Sequence, residues 1–276
     1  MAIKDILTIT DYQGKQPAAQ VAVEIARLTE AHATGVGLAF EPLLPGFVAA
    51  PMPADYLQMA REQALNSAKD SLEAYQKLID LAGVNGETRV EEILTGGSLE
   101  GILSQCRLTD LVAITQDNPE QSEPMRSVII EALLFDTGVP LLVVPHIFDG
   151  QFKPKKAVIA WNGSASAARA VHAALPVLKM VDEVSVLIIN EYEIDDREPG
   201  AAVATYLARH DLEVSVDIIN HPQVSISNTI LNYISDNGAD LLVMGGYGHS
   251  RMREMLLGGA TREILANMTV PVLMTH

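Results

Sequence analysis

Two separate stretches of this chain occur twice, and that repetition constrains its fold more than any other feature. Asp110-Leu-Val-Ala-Ile-Thr-Gln116 matches Asp240-Leu-Leu-Val-Met-Gly-Gly246. Thr137-Gly-Val-Pro-Leu-Leu-Val-Val-Pro-His146 matches Met268-Thr-Val-Pro-Val-Leu-Met-Thr-His276. Both matches share an offset of about 130 residues, which points to two copies of one folding unit. The opening strands, Asp5-Ile-Leu-Thr-Ile-Thr-Asp11 and Ala157-Val-Ile-Ala-Trp-Asn162, correspond at a larger offset. A proline-rich insertion at 42–53 in the first copy accounts for the difference. Pro145-His-Ile-Phe-Asp-Gly-Gln-Phe-Lys-Pro154 breaks regular structure and reads as the linker. The expected domains are therefore 1–146 and 155–276.

Each copy alternates strand and helix. Short runs rich in Val, Ile and Leu, without polar alternation, are the pattern of strands buried on both faces. The expected fold class is α/β: two tandem, doubly wound parallel-sheet domains of Rossmann-like build. The pattern predicts strands near 3–10, 34–40, 88–94, 110–115 and 140–144, with helices near 16–31, 55–82, 98–107 and 125–136. In the second copy it predicts strands near 156–161, 183–189, 213–219, 240–245 and 271–275, with helices near 164–179, 198–210, 224–237 and 260–268. In such sheets a ligand sits beyond the carboxyl ends of the strands, where the loop after the first strand faces the loop after the fourth.

That edge carries the most chemically suggestive segment, Asp240 to Thr261, in which a buried-strand pattern runs into a glycine loop. Glycines allow backbone N–H groups to approach an anion without a Cβ in the way, and a helix start adds its dipole. The spacing Gly245, two residues, Gly248, nine residues, Gly258 resembles the nucleotide loop of the universal stress protein family, whose fold is of the adenine nucleotide alpha hydrolase-like type. In that family Ser or Thr usually follows the last glycine; here Gly259 stands there. The turn Ala160-Trp161-Asn162-Gly163-Ser164 is similar to the family's Asp-Gly-Ser turn, with Asn162 in place of the acidic residue that contacts the adenosine part. Asn162 keeps hydrogen-bonding capacity but no charge. A turn and helix cap made by Asn162, Gly163 and Ser164 explains the same residues equally well.

The resemblance implies a tandem universal stress protein with ATP as the candidate ligand, held in the second copy only, with no metal beyond the Mg²⁺ that accompanies a nucleotide. The residues it marks are Ala160, Asn162, Gly245, Gly248, Ser250, Arg251, Gly258, Gly259, Ala260 and Thr261. Ser250 could donate a hydroxyl in place of the missing one, and Arg251 or Arg253 could pair with phosphate, although a solvated loop would show the same residues and explains each one singly better. In the first copy Asp11 holds the acidic position, yet the loop Gln116-Asp-Asn-Pro-Glu-Gln-Ser-Glu-Pro124 has no glycine and three carboxylates. The first copy accordingly reads as structural, and Asp11 as a strand-end turn residue. The resemblance also implies pairing of the copies through their last strands as an intramolecular pseudo-dimer, with a homo-oligomer as a further candidate assembly.

Composition sets limits on partners. With 19 Lys and Arg against 35 Asp and Glu, the net charge of −16 opposes phosphate backbones and anionic membrane surfaces. No nucleic-acid or membrane partner is expected. A single cysteine excludes an intrachain disulfide, and the N-terminal residues lack a secretion signal, so a cytoplasmic location is expected. No phosphate-binding Gly-x-x-x-x-Gly-Lys loop, dinucleotide fingerprint or Gly-x-Ser-x-Gly elbow is present. No catalytic residue and no metal ligand set is assigned. The expected role is a non-catalytic stress-response factor that senses a nucleotide; the alternative is a slow nucleotide hydrolase using Arg251 or Arg253.

Overall fold

The computed structural model describes residues 2–41, 54–93, 97–121, 123–190, 199–246 and 259–276. Ile3–Val139 and Pro140–His276 form two compact units. The N-terminal unit contains β1 (Asp5–Ile9), α1 (Pro17–Thr29), β2 (His32–Phe40), α2 (Ala54–Ala82), β3 (Gly86–Ile93), α3 (Glu100–Cys106), β4 (Leu111–Thr115) and α4 (Arg126–Asp136). Its strands lie in the order β3-β2-β1-β4 and all run parallel.

The C-terminal unit opens with β5 (Leu141–Val144), followed by β6 (Lys156–Ala160), α5 (Ala165–Leu178), β7 (Glu183–Asn190), α6 (Ala201–Ala208) and β8 (Val214–Asn220). It ends with α7 (Ile226–Asn237), β9 (Leu241–Gly245), α8 (Ala260–Asn267) and β10 (Val272–Thr275). Strand order here is β8-β7-β6-β9-β10-β5. Only β5 is antiparallel, with Val143 opposite Val272, Leu142 opposite Leu273 and Leu141 opposite Met274. The first four strands of each repeat thus share one order, which is the structural form of the repetition in sequence. The two compact units divide the chain at Pro140, so that β5, the last strand of the first repeat, lies with the residues that follow it.

The helices form where local chemistry favours them. α1 begins with Pro17, whose missing N–H costs nothing in a first turn, and it buries Ala18, Ala19, Val21, Ala22, Ile25 and Ala26 on the sheet. α5 and α7 are capped by Ser164 and Ser225, whose hydroxyls accept from the N–H groups of Ala167 and Asn228. Gly238 closes α7 in the left-handed conformation, at φ 59°. Every residue of β4, β5 and β10 is buried, as the apolar runs predict.

The outermost strands depart from that prediction. Apart from buried Ile93, the residues of β3 and β8 are half-buried or exposed, because among the described residues each strand has a neighbour on one side only and carries polar residues such as Glu87, Arg89, Ser215 and Asp217. Each repeat also ties down the start of its first strand in the same way. Asp110 accepts from the N–H groups of Lys4 and Asp5 at 2.7 and 3.0 Å, and its counterpart Asp240 accepts from those of Lys155 and Lys156 at 2.7 and 3.1 Å. In the N-terminal unit Gly35 lets the ring of fully buried Tyr75 lie flat on β2: a Cβ there would stand 2.5 Å from Tyr75 Cδ1.

Candidate functional site

The parallel register brings Ala160 beside Met244 and Thr275 beside Gly245, so the ends of β6, β9 and β10 form one edge. Just beyond it, the chain turns through Trp161, Asn162 and Gly163 into α5. Asn162 is exposed, and its Oδ1 accepts from the Ser164 N–H at 3.1 Å. The turn reading of Asn162 is therefore realised, with the amide group still reachable from solvent. Gly246 donates its N–H to the Thr275 carbonyl at 2.7 Å, and His276 Nδ1 lies 3.3 Å from the Gly246 carbonyl, a donor position for that tautomer. Arg169 Nε donates to the His276 carbonyl at 2.8 Å.

Gly245 has a packing role besides the one its place in the loop suggests. A Cβ at this position would stand 2.6 Å from the backbone nitrogen of Ala167 and 2.7 Å from both the carbonyl carbon and the hydroxyl of Ser166. The first turn of α5 packs directly on the strand end, and only glycine leaves room for it. In the N-terminal unit the counterpart is Thr115, whose hydroxyl accepts from the Ala18 N–H at 3.3 Å.

The described residues resume at the start of α8. Gly259 occupies the N-cap, extended at φ −62° and ψ 154°, and supplies no side-chain cap. Ala260 and Thr261 follow in the first turn, and the Arg262 and Glu263 N–H groups donate to the Gly259 carbonyl at 3.0 and 3.3 Å. Thr261 is 4% exposed, so it faces the protein interior rather than a ligand in open solvent. Glu263, two residues further on, accepts hydrogen bonds from Ser225 and Ser227, fixing α8 against the start of α7. Gly248, Ser250, Arg251 and Gly258, with His249 and Arg253, lie outside the described residues. The hydrolase reading depends on Arg251 or Arg253 and so falls outside them too.

The corresponding place in the N-terminal unit is filled by its own side chains. Asp11, at the end of β1, is 6% exposed; Thr115 donates to its Oδ2 at 2.7 Å and Arg126 Nη2 to its Oδ1 at 2.8 Å. The same Arg126 nitrogen also pairs with Glu123, which in turn accepts from the Tyr12 N–H at 2.8 Å. The Asp11 backbone is closed into a turn by the Gln16 amide group. Asp11 is thus the turn residue the sequence suggests, and additionally one end of a buried ion pair. Burial pushes the Asp11 and Glu123 carboxyls above their ordinary values, a rise that Arg126 only partly offsets. Burial likewise raises the Tyr12 phenol to about 12.

Arg126 escaped sequence reasoning because its partner Asp11 is 115 residues away. The available signal was an arginine three residues after Glu123, at the first position of a largely apolar helix. Among the described residues, no group of three or more His, Cys, Asp or Glu is placed to hold a metal ion, and no helix is long and apolar enough to cross a membrane.

Comparison with known proteins agrees with this architecture. Residues 154–276 match the model of the universal stress protein family. A universal stress protein of Synechocystis sp. is 26% identical over 148 residues, covering 52% of this chain and 49% of that protein, so the match spans about half the relative's length. A universal stress protein structure from Archaeoglobus fulgidus superposes with a TM-score of 0.72 at 17% identity, covering 98% of this chain and 95% of its own. A Pseudomonas aeruginosa structure assigned to the same family gives 0.62 at 18% identity, over 99% and 93%. At these identities the structural likenesses establish the fold.

Proposed function

Building on the match of residues 154–276 to the universal stress protein family, we propose that this segment holds an adenine nucleotide, ATP in the first instance, and that the chain acts as a non-catalytic, cytoplasmic stress-response factor. The observation that carries the reading is the contrast between the repeats at one equivalent place. Asp11 is buried under Arg126, whereas Asn162 is exposed, and the helix α8 that follows the glycine loop starts without a side-chain cap. The ribose would meet Ala160 and Asn162, and the phosphates the segment from Gly245 to Gly248, with Ser250 and Arg251, and that from Gly258 to Thr261. The start of α8 supplies a dipole favourable for negative charge. Gly245 also lets α5 close on the strand end.

The missing hydroxyl at Gly259 predicts weak binding. A hydrogen bond to a charged group contributes about 1.5 to 3 kcal/mol, so one lost donor weakens binding by roughly one to two orders of magnitude. Calorimetric titration of the full chain with ATP and Mg²⁺ tests the reading, alongside Gly259→Ser and Asn162→Asp. Weak wild-type binding that tightens at least tenfold in Gly259→Ser is expected, with no phosphate released over hours. No heat of binding from the wild type or from either variant sinks the proposal. Pairing of the repeats through their last strands belongs to the same reading and is supported by the antiparallel β5–β10 register. A fragment of residues 1–150 would then form a homodimer or aggregate, and a well-behaved monomer would refute it.

A further inference from the structure

The N-terminal unit contains one ionic cluster whose own chemistry the nucleotide reading leaves unused. Two carboxylates, Asp11 and Glu123, converge on a single guanidinium nitrogen, Nη2 of Arg126, and the Arg126 side chain is 4% exposed. Its other terminal nitrogen, Nη1, is buried and has no hydrogen-bond partner among the described residues. The three charges sum to −1 in a place where an uncompensated charge is costly. The remaining titratable group against the cluster, the Tyr12 phenol, is neutral across the physiological range and adds no positive charge. Thr115 contributes a neutral hydroxyl.

From this arrangement we infer that Asp11, Arg126 and Glu123 form a proton-dependent latch, which fastens the turn after β1 to the start of α4 and closes the end of the N-terminal sheet against ligands. The latch takes up one proton when closed, because one proton makes the cluster neutral. Glu123 is its moving arm: its side chain is 23% exposed against 8% for Asp11, so it has the shorter path to water. Glu123 leaving would free the Tyr12 N–H, which it holds at 2.8 Å.

The direction of the pH dependence follows from the same chemistry. Both carboxyls are raised by burial above ordinary values of 3.8 and 4.5. A raised carboxyl favours the closed state fully below its ordinary value and loses that contribution as pH rises through the raised one. The latch is therefore tightest in mild acid and loosens toward neutral and alkaline pH.

Amide hydrogen exchange and nitrogen–proton correlation spectra of the full chain between pH 4 and 8 test this at Tyr12. The wild-type Tyr12 amide is expected to titrate with a midpoint above 4.5. Its protection factor is expected to fall about tenfold per unit by which the carboxyl is raised, since one pKa unit corresponds to a tenfold change in the coupled equilibrium. Glu123→Gln and Asp11→Asn each leave one carboxylate to one guanidinium, so either change should abolish the titration. A midpoint at or below 4.5, a protection factor independent of pH, or a titration that survives in both variants overturns the inference.

Discussion

Replacing Gly245 with Ala separates packing from ligand approach as the reason for a glycine at the end of β9. The added Cβ would lie 2.6 Å from Ala167 N and 2.7 Å from the Ser166 carbonyl carbon, about 0.8 Å inside the 3.4 Å at which ordinary contact begins. Both obstructing atoms are backbone in the first turn of α5, so no rotamer change relieves the clash. The helix start must move off the strand, which disturbs the Ser164 cap on Ala167 and the bond from Thr275 to the Ser166 carbonyl. Overpacking of this kind costs about 1 to 3 kcal/mol, and the upper figure suits a backbone obstruction. For a chain of this size, 1 kcal/mol moves the melting temperature by roughly 2 to 4 °C, so a loss of about 6 to 12 °C is expected. Circular dichroism melts of wild type and Gly245→Ala measure it, with amide exchange across residues 164–168 locating the disturbance. A variant that melts with the wild type and exchanges identically there would refute the packing argument.

Other substitutions probe the remaining supports. Arg126→Ala strands the buried Asp11 carboxylate, and urea unfolding is expected to show a loss of about 3 to 5 kcal/mol, the range for breaking one side of a buried ion pair. Asp240→Ala removes the acceptor for two backbone N–H groups at the start of β6; a loss near 1.5 to 3 kcal/mol is expected, and a neutral result would show that water replaces it. Burial pushes the Cys106 thiol up to about 12, so the native protein at pH 8 should resist alkylation that proceeds readily in urea; mass spectrometry reads the difference. Gly35→Ala should destabilise the N-terminal unit, because the Tyr75 ring behind it is fully buried and has nowhere to turn, and a thermal melt unchanged from wild type would contradict that.

The sequence by itself determined the repeated unit, the α/β class and the boundaries of most elements. Burial on a helix face or along a parallel strand imposes a short-range pattern, and the apolar runs of β4 and β9, the prolines before β5 and β10, and the caps Ser164 and Ser225 all express it locally. The same local reading overstated the apolar character of β3 and β8, since whether a strand lies inside or at the rim of a sheet is fixed by its neighbours. Tertiary structure alone decided what individual residues do. Gly245 looks like a loop glycine until α5 is placed on it, and Asp11 looks like a turn residue until Arg126 arrives from 115 residues away. Such meetings leave no periodic trace, because they depend on which loops the fold brings to one edge rather than on the spacing of residues within an element.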